Sequence, residues 1–199
     1  MAGDPLKLIV GLGNPDAEYL RTRHNVGFWF VEELARQYGG TFRSESKHQG
    51  QIARVRIAGE EVWLLKPMTY MNRSGGPTRS VAGFYKVTAP EILVAHDELD
   101  FEPGVVKLKQ GGGAAGNNGI KDIMATMGAN FWRLRIGVGK PPATGIEHVL
   151  SRPSAADERA IHECIALGIE AVPIIIEQGG QRAMNRLHTR AAPPAATEG

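Results

Sequence analysis

A histidine at position 24 and an aspartate at position 97 are the two side chains of this sequence best suited to moving a proton. His24 ends a polar stretch that follows the apolar run beginning at Leu8, and Asp97 follows a second apolar run, Glu91 to His96. If both runs are strands of one open sheet, the pair can meet across the crevice at its carboxyl edge. A carboxylate on one imidazole nitrogen would fix the tautomer and leave the other nitrogen free to take a proton from water. Asn14, Asn72 and Asn118 each stand in a loop after an expected strand. One loop asparagine is ordinary turn chemistry. Three around one crevice read as neutral donors for a carbonyl-bearing substrate, able to receive a developing oxyanion. Taken singly, His24 is more readily a structural or surface residue than a catalytic one, and Asp97 as readily a turn former or helix cap; the shared edge shifts the balance toward base chemistry.

Other chemistries fit less well. Gly11-Leu12-Gly13 follows a strand, but Asp16 stands where a dinucleotide fingerprint needs its third glycine, and the helix starts some residues late. The run Gly111-Gly112-Gly113 lacks the Gly-Lys-Ser/Thr ending of a phosphate-binding P-loop. No G-x-S-x-G elbow is present, and Cys164 lies in a stretch of core-like helical periodicity. That single cysteine excludes an intramolecular disulfide and a thiolate metal cluster, and no HExxH spacing replaces it, so no metal is expected.

The elements that must position these residues follow from period and punctuation. Leu8 onward is a strand; Val26 to Tyr38 is an amphipathic helix stopped by Gly39-Gly40. Thr41 to Ala58 and Glu61 to Lys66 alternate around Ala58-Gly59-Glu60 as a hairpin. The segment from Pro67 to Gly76 interrupts, a helix covers Thr78 to Lys86, and Glu91 to His96 is a buried strand. Val105 to Lys109 is a strand opening into the glycine run, which reads as a flexible flap. Ile120 to Met127 is a short helix and Phe131 to Val138 the last clear strand. Ser154 caps a helix from Ala155 to about Gln178, interrupted near Pro173, and Gln181 to His188 is a final helix. Residues 1–190 form one domain, and the Ala/Pro-rich stretch 191–199 is expected to be a disordered tail.

The 199 residues suffice for one substantial core, and 42% hydrophobic with 22% charged residues is ordinary for a soluble protein. No stretch approaches the roughly 18 apolar residues of a membrane span, and the N-terminus lacks the layout of a secretory signal, so a cytoplasmic protein without membrane contact is expected. The net charge of +2 conceals a polarity: five acids and no Lys or Arg between Ala89 and Glu102, then six basic residues against Asp122 alone between Gly104 and Lys140. A local cationic field on a nearly neutral protein suits a bound polyanion, although a solvated face would look the same.

Five segments in register, GLGNPDAEYLRTRHNVG at 11–27, KPMTYMNRSG at 66–75, VAHDELD at 94–100, KLKQGGGAAGNNGIKD at 107–122 and RLRIGVG at 133–139, resemble the bacterial-type peptidyl-tRNA hydrolases. The resemblance runs from about Lys7 to His188. It implies a monomeric, single-domain three-layer α/β/α sandwich around a mixed, mostly parallel twisted sheet, without metal or organic cofactor. It also implies cleavage of the ester joining a peptide to the 3′-terminal ribose of tRNA, with the substrate's acceptor end, 5′-phosphate and peptide all contacted. On this pattern His24 is the catalytic base, Asp97 its partner, and Asn14 and Asn72 position substrate and water. Asn118 contacts substrate near the glycine loop, Tyr19 and Met71 line the site for the tRNA end, and Lys109 and Arg135 clamp the 5′-phosphate. Asn117 departs from the pattern, standing where members often carry histidine; this bears on the loop's response to pH rather than on His24. The rival readings are an RNA-binding protein without catalysis, which would not need His24 and Asp97 together, and a dinucleotide-dependent oxidoreductase, which would need the glycine fingerprint completed.

Overall fold

The computed structural model describes residues 5–141 and 145–190. Among these, seven strands form one sheet: β1 (Leu8–Gly11), β2 (Arg43–Glu45), β3 (Gly50–Ile57), β4 (Glu60–Pro67), β5 (Ile92–Glu98), β6 (Val106–Gln110) and β7 (Trp132–Gly137), in the order β2-β3-β4-β1-β5-β7-β6. The central strands β4, β1, β5 and β7 run parallel, while β2–β3, β3–β4 and β6–β7 are antiparallel. Among the described residues six helices surround it: α1 (Val26–Gln37), α2 (Gly75–Phe84), α3 (Asn118–Met127), α4 (Gly145–Val149), α5 (Ala155–Gln178) and α6 (Gly180–Arg190). The tail expected at 191–199 lies outside the described residues.

The three layers follow from the period-2 alternation of the buried strands. In β1, Ile9 packs with Phe30, Leu34 and Ile165 on one face, whereas Leu8 and Val10 pack with Val81, Ile120 and Ile123 on the other. The first face carries α1, α5 and α6, the second α2 and α3. Truncating one of these fully buried leucines would cost about 2–5 kcal/mol.

Two glycines bring α1 down onto the end of β1. A Cβ on Gly11 would stand 2.2 Å from the Gly27 carbonyl oxygen, and one on Gly27 would stand 2.4 Å from that of Ala95. Any side chain there would lift the start of α1, and the turn carrying His24, off the strand ends. The expected hairpin is present: Ile57 pairs with Glu60 across Ala58 and Gly59, both at positive φ as a tight two-residue turn requires.

Several boundaries differ from expectation, each because a distant residue intervenes. The strand expected at 41–58 is split into β2 and β3 by a 3-10 turn, Ser46–His48, and Gln49 at φ +50°. That turn buries His48 and hydrogen-bonds its Nδ1 to the Ser80 hydroxyl at 2.6 Å. Helix α2 starts three residues before the expected Thr78, because Asp122 accepts the Gly75 N–H at 2.7 Å. Helix α3 starts at Asn118 rather than Ile120, capped by the Asn117 side chain, which accepts from the Ile120 N–H. Helix α5 runs unbroken through Pro173. An interior proline costs about 3 kcal/mol, and burial of Ile169, Val172, Ile175 and Ile176 around it, at about 1.5–3 kcal/mol each, outweighs that. Helix α4 carried no periodic signal. Among the described residues no helix is long and apolar enough to cross a membrane.

Candidate active site

The chain leaves β1 through Leu12-Gly13-Asn14 and returns in a 3-10 turn, Arg23–Asn25, from which α1 starts. Three consecutive residues of that turn tie three separate segments. Asn25, almost fully buried, accepts the Asn14 N–H at 2.8 Å and donates to the Asn14 carbonyl at 2.9 Å, closing the β1 loop on itself. Arg23 reaches the other way: its Nη1 donates to the carbonyls of His148, Ser151 and Arg152 and to the Ser151 hydroxyl, and its backbone N–H to the Ser151 carbonyl. Between them His24 places Nδ1 3.0 Å from Oδ2 of Asp97, at the end of β5. The two expected partners therefore do meet at the carboxyl edge.

Asp97 is buried and acceptor-only when ionised, so Nδ1 of His24 carries the proton and Nε2 holds the lone pair, without a partner among the described residues. Burial pushes the His24 pKa down, but the charge of Asp97 and its hydrogen bond push it up by more, and the imidazole is held above its ordinary value. The other oxygen of Asp97 accepts from Nδ2 of Asn117 at 3.2 Å. Asn117 thus has two tasks, capping α3 and holding Asp97, and neither needs a titratable ring.

Asn14 accepts the Met71 N–H at Oδ1, 3.3 Å away. That contact settles the orientation of the amide and leaves both Nδ2 hydrogens to donate elsewhere. Met71 is buried against Leu12 and Gly119, where its sulfur would stand 2.6 Å from a Cβ on Gly119. Asn72 follows it in a 3-10 turn, exposed and without a side-chain hydrogen bond among the described residues. Asn118 is the first, exposed residue of α3, and Tyr19, half-buried, ends an otherwise exposed turn after Asp16. Beside these loops lies a groove of about 660 Å³, lined among others by Pro15, Tyr70, Arg73 and Gly76. Its lining includes Pro15 and Asp16, which follow Asn14 in the chain, but neither His24 nor Asp97.

The basic stretch is not one solvated face. Arg133 is buried beneath the glycine run, donating to the carbonyls of Gly113 at 2.6 Å and Gly111 at 3.1 Å. Arg135 is held by Glu98 through Nε at 2.8 Å and Nη2 at 2.5 Å, with its guanidinium 4.5 Å from the Phe101 ring centre. Acidic and basic segments that stand apart in sequence thus partly neutralise each other across β5 and β7. Lys109 opposes Arg133 and Lys107 opposes Arg135, so Lys109 and Arg135 are diagonal neighbours on one face. Lys107, exposed and 4.9 Å from the Phe101 ring, shares that face. Sequence reading missed Asn25, Arg23 and Lys107; the spacing of Asn14 and Asn25 around a single loop was the available signal for the first.

Nucleophilic cysteine chemistry has no support: burial pushes the Cys164 thiol up to about 11. Among the described residues no three His, Cys, Asp or Glu side chains come together as metal ligands.

The model of the family described as peptidyl-tRNA hydrolase matches residues 8–195. The chain is 48% identical to a peptidyl-tRNA hydrolase of Cupriavidus pinatubonensis over 195 residues, covering 92% of this chain and 98% of the relative. It is 47% identical to one of Neisseria gonorrhoeae over 188 residues, with 93% and 98% covered. A crystal structure of peptidyl-tRNA hydrolase from Acinetobacter baumannii superposes with a TM-score of 0.89 at 44% identity, covering 94% of this chain and 97% of that one. A purine nucleoside phosphorylase from Toxoplasma gondii, at 10% identity and a TM-score of 0.53, shares the fold alone. The dyad at the edge of the central strands, the amide-lined loops and the match along nearly the whole length agree, and the chain belongs to the peptidyl-tRNA hydrolase family.

Proposed function

We infer that this protein hydrolyses the ester between a peptide and the 3′-terminal ribose of tRNA, with His24 as general base. The observation that carries the assignment of the base is the 3.0 Å contact of His24 Nδ1 with Asp97, which leaves Nε2 open. Nε2 takes a proton from water as the water oxygen bonds to the ester carbonyl carbon. The carbonyl oxygen becomes an oxyanion, receiving hydrogen bonds from Nδ2 of Asn14 and from Asn72. On collapse the ribose oxygen leaves and recovers the proton from His24, giving free tRNA and a peptide carboxylic acid, which then loses its proton to solvent. Asp97 steadies the imidazolium between the two transfers. Asn118, Tyr19 and Met71 border the acceptor end in this reading, and Lys109 with Arg135 grips the 5′-phosphate. Binding without catalysis is not favoured in a hydrolase-family chain that keeps the dyad.

The test is hydrolysis of N-acetylaminoacyl-tRNA beside unblocked aminoacyl-tRNA, by wild-type protein and His24→Ala. Cleavage of the blocked substrate only, reduced about 10²–10⁴-fold in the variant with tRNA binding retained, is expected. A variant at wild-type rate would remove His24 from the mechanism.

A further inference from the structure

The turn Ser46–His48 and helix α2 frame an open depression of about 540 Å³, walled chiefly by Lys47, His48, Arg79, Ser80 and Phe84. It meets the groove beside the dyad loops only at Gly76, and none of these five residues takes part in the hydrolysis.

The polar side chains of its walls converge as donors. Lys47 and Arg79 are exposed and make no ion pair among the described residues, and no carboxylate lines the depression. The third donor is set by a histidine. His48 is 4% exposed; its Nδ1 lies 2.6 Å from the Ser80 hydroxyl, and its Nε2 is buried without a hydrogen-bond partner among the described residues. Burial, then the charge of Lys47, holds the imidazole below its ordinary pKa against a smaller pull from Glu45, so the ring is neutral near pH 7. A neutral ring carries one N–H, and a buried N–H without a partner is rarer than an unmatched lone pair. The hydrogen therefore sits on Nδ1 and is donated to Ser80, whose own hydroxyl hydrogen, with no acceptor among the described residues, is left to point outward. Beside these donors stands the ring of Phe84, 57% exposed, with Nζ of Lys47 4.0 Å from its centre and the His48 ring steeply inclined to it at 5.4 Å.

We propose that this depression binds a nucleoside monophosphate, its phosphate on Lys47, Arg79 and Ser80 and its base against Phe84. Two cations and a hydroxyl hydrogen, with no acceptor facing them, match the charge and the acceptor oxygens of a phosphate monoester. An aromatic ring this open is a stacking face for a flat base, and a cation beside it adds to the attraction. A free nucleotide and the phosphorylated end of an RNA share this chemistry.

The experiment is a titration of the full-length protein with AMP, followed by amide and imidazole NMR signals. Saturating shifts confined to residues 46–48 and 76–84, with the His48 ring among them, are expected. Adenosine, which lacks the phosphate, and inorganic phosphate, which lacks the base, should each bind at least about tenfold more weakly. Lys47→Gln and Arg79→Gln, both at exposed positions, should each weaken AMP about tenfold while hydrolysis of N-acetylaminoacyl-tRNA is unchanged. Equal affinity for AMP and a 5′-phosphorylated trinucleotide assigns the free nucleotide, and a gain of about tenfold or more for the trinucleotide assigns the RNA end. Absence of saturation below about 10 mM AMP would overturn the proposal, as would equal binding of AMP and adenosine. If Ser80→Ala binds AMP as the wild type does, the depression is no more than two surface cations, and the proposal falls. A loss of hydrolysis in the Lys47 and Arg79 variants would give the depression to the hydrolysed substrate and overturn it as well.

Discussion

At the scale of single residues, the proposed base is defined by what surrounds it. The imidazole of His24 must be neutral to accept a proton, so activity rises with pH through the pKa of His24 and falls off on the acid side. Asp97 holds that pKa above the ordinary value, which places the acid limb of kcat/KM above about pH 6.5. Asp97→Asn removes the charge. The acid limb should move to lower pH while the plateau falls by about 10² or more, because an amide can also hold the ring in the unproductive tautomer. A pH profile of kcat/KM for both proteins measures this, and a limb that stays put would detach Asp97 from His24. Asn25 makes a separate prediction. Removing its amide in Asn25→Ala leaves the Asn14 N–H and carbonyl without partners inside the loop, at a cost of about 1–3 kcal/mol, or several degrees in Tm. Activity should fall further than stability alone accounts for, since Asn14 loses its fixed orientation. The types and spacing of His24, Asp97 and the three asparagines could be read from sequence because each ends a recognisable strand or loop. The work of Asn25 could not, because it depends on which way a short turn closes.

At the scale of elements, the turn before α1 is a junction, and α4 is attached to it through Arg23. The element itself is short and leaves no periodic trace, so only the folded chain reveals that residues 148–152 are fastened to the neighbour of His24. Arg23→Gln should lose most of those contacts. Charged hydrogen bonds are worth about 1.5–3 kcal/mol each, and a glutamine amide recovers only part of one. Amide hydrogen exchange should accelerate first at residues 148–152, ahead of the sheet; uniform acceleration would mean that Arg23 serves the whole fold instead. Helix α3 shows the same dependence on a distant group. Its start moved from the expected Ile120 to Asn118 because Asn117 caps it and in turn leans on Asp97. The opposite case is α5, where proline chemistry argued for a break that tertiary burial overrode. Strand positions were legible because period and burial agree along β1, β4 and β5, whereas helix ends were set by side chains from other elements.

At the scale of the molecule, charge arranged along the sequence is not charge arranged in space. Ala89 to Glu102 and Gly104 to Lys140 looked like separate acidic and basic blocks, but β5 lies beside β7, and their side chains pair across that boundary. Arg133 is spent on the glycine run and Arg135 on Glu98, so the exposed field of the β6–β7 edge comes chiefly from Lys107 and Lys109. The two halves of the proposed phosphate clamp should therefore behave differently. Lys109→Ala removes an exposed cation and should weaken tRNA binding, reducing the slope of log K against log salt by about 1, with Tm unchanged. Arg135→Ala also leaves Glu98, almost fully buried, without its partner, and breaking such a pair costs about 3–5 kcal/mol. Its loss of binding would then be mixed with loss of fold. The double variant Arg135→Gln with Glu98→Gln separates the two, since it removes both charges and keeps two groups able to hydrogen-bond. Salt titrations of tRNA binding on the three proteins, beside their melting curves, provide the check. If the double variant recovers the Tm and keeps the wild-type salt slope, Arg135 serves only Glu98, and the phosphate is held from the lysine side.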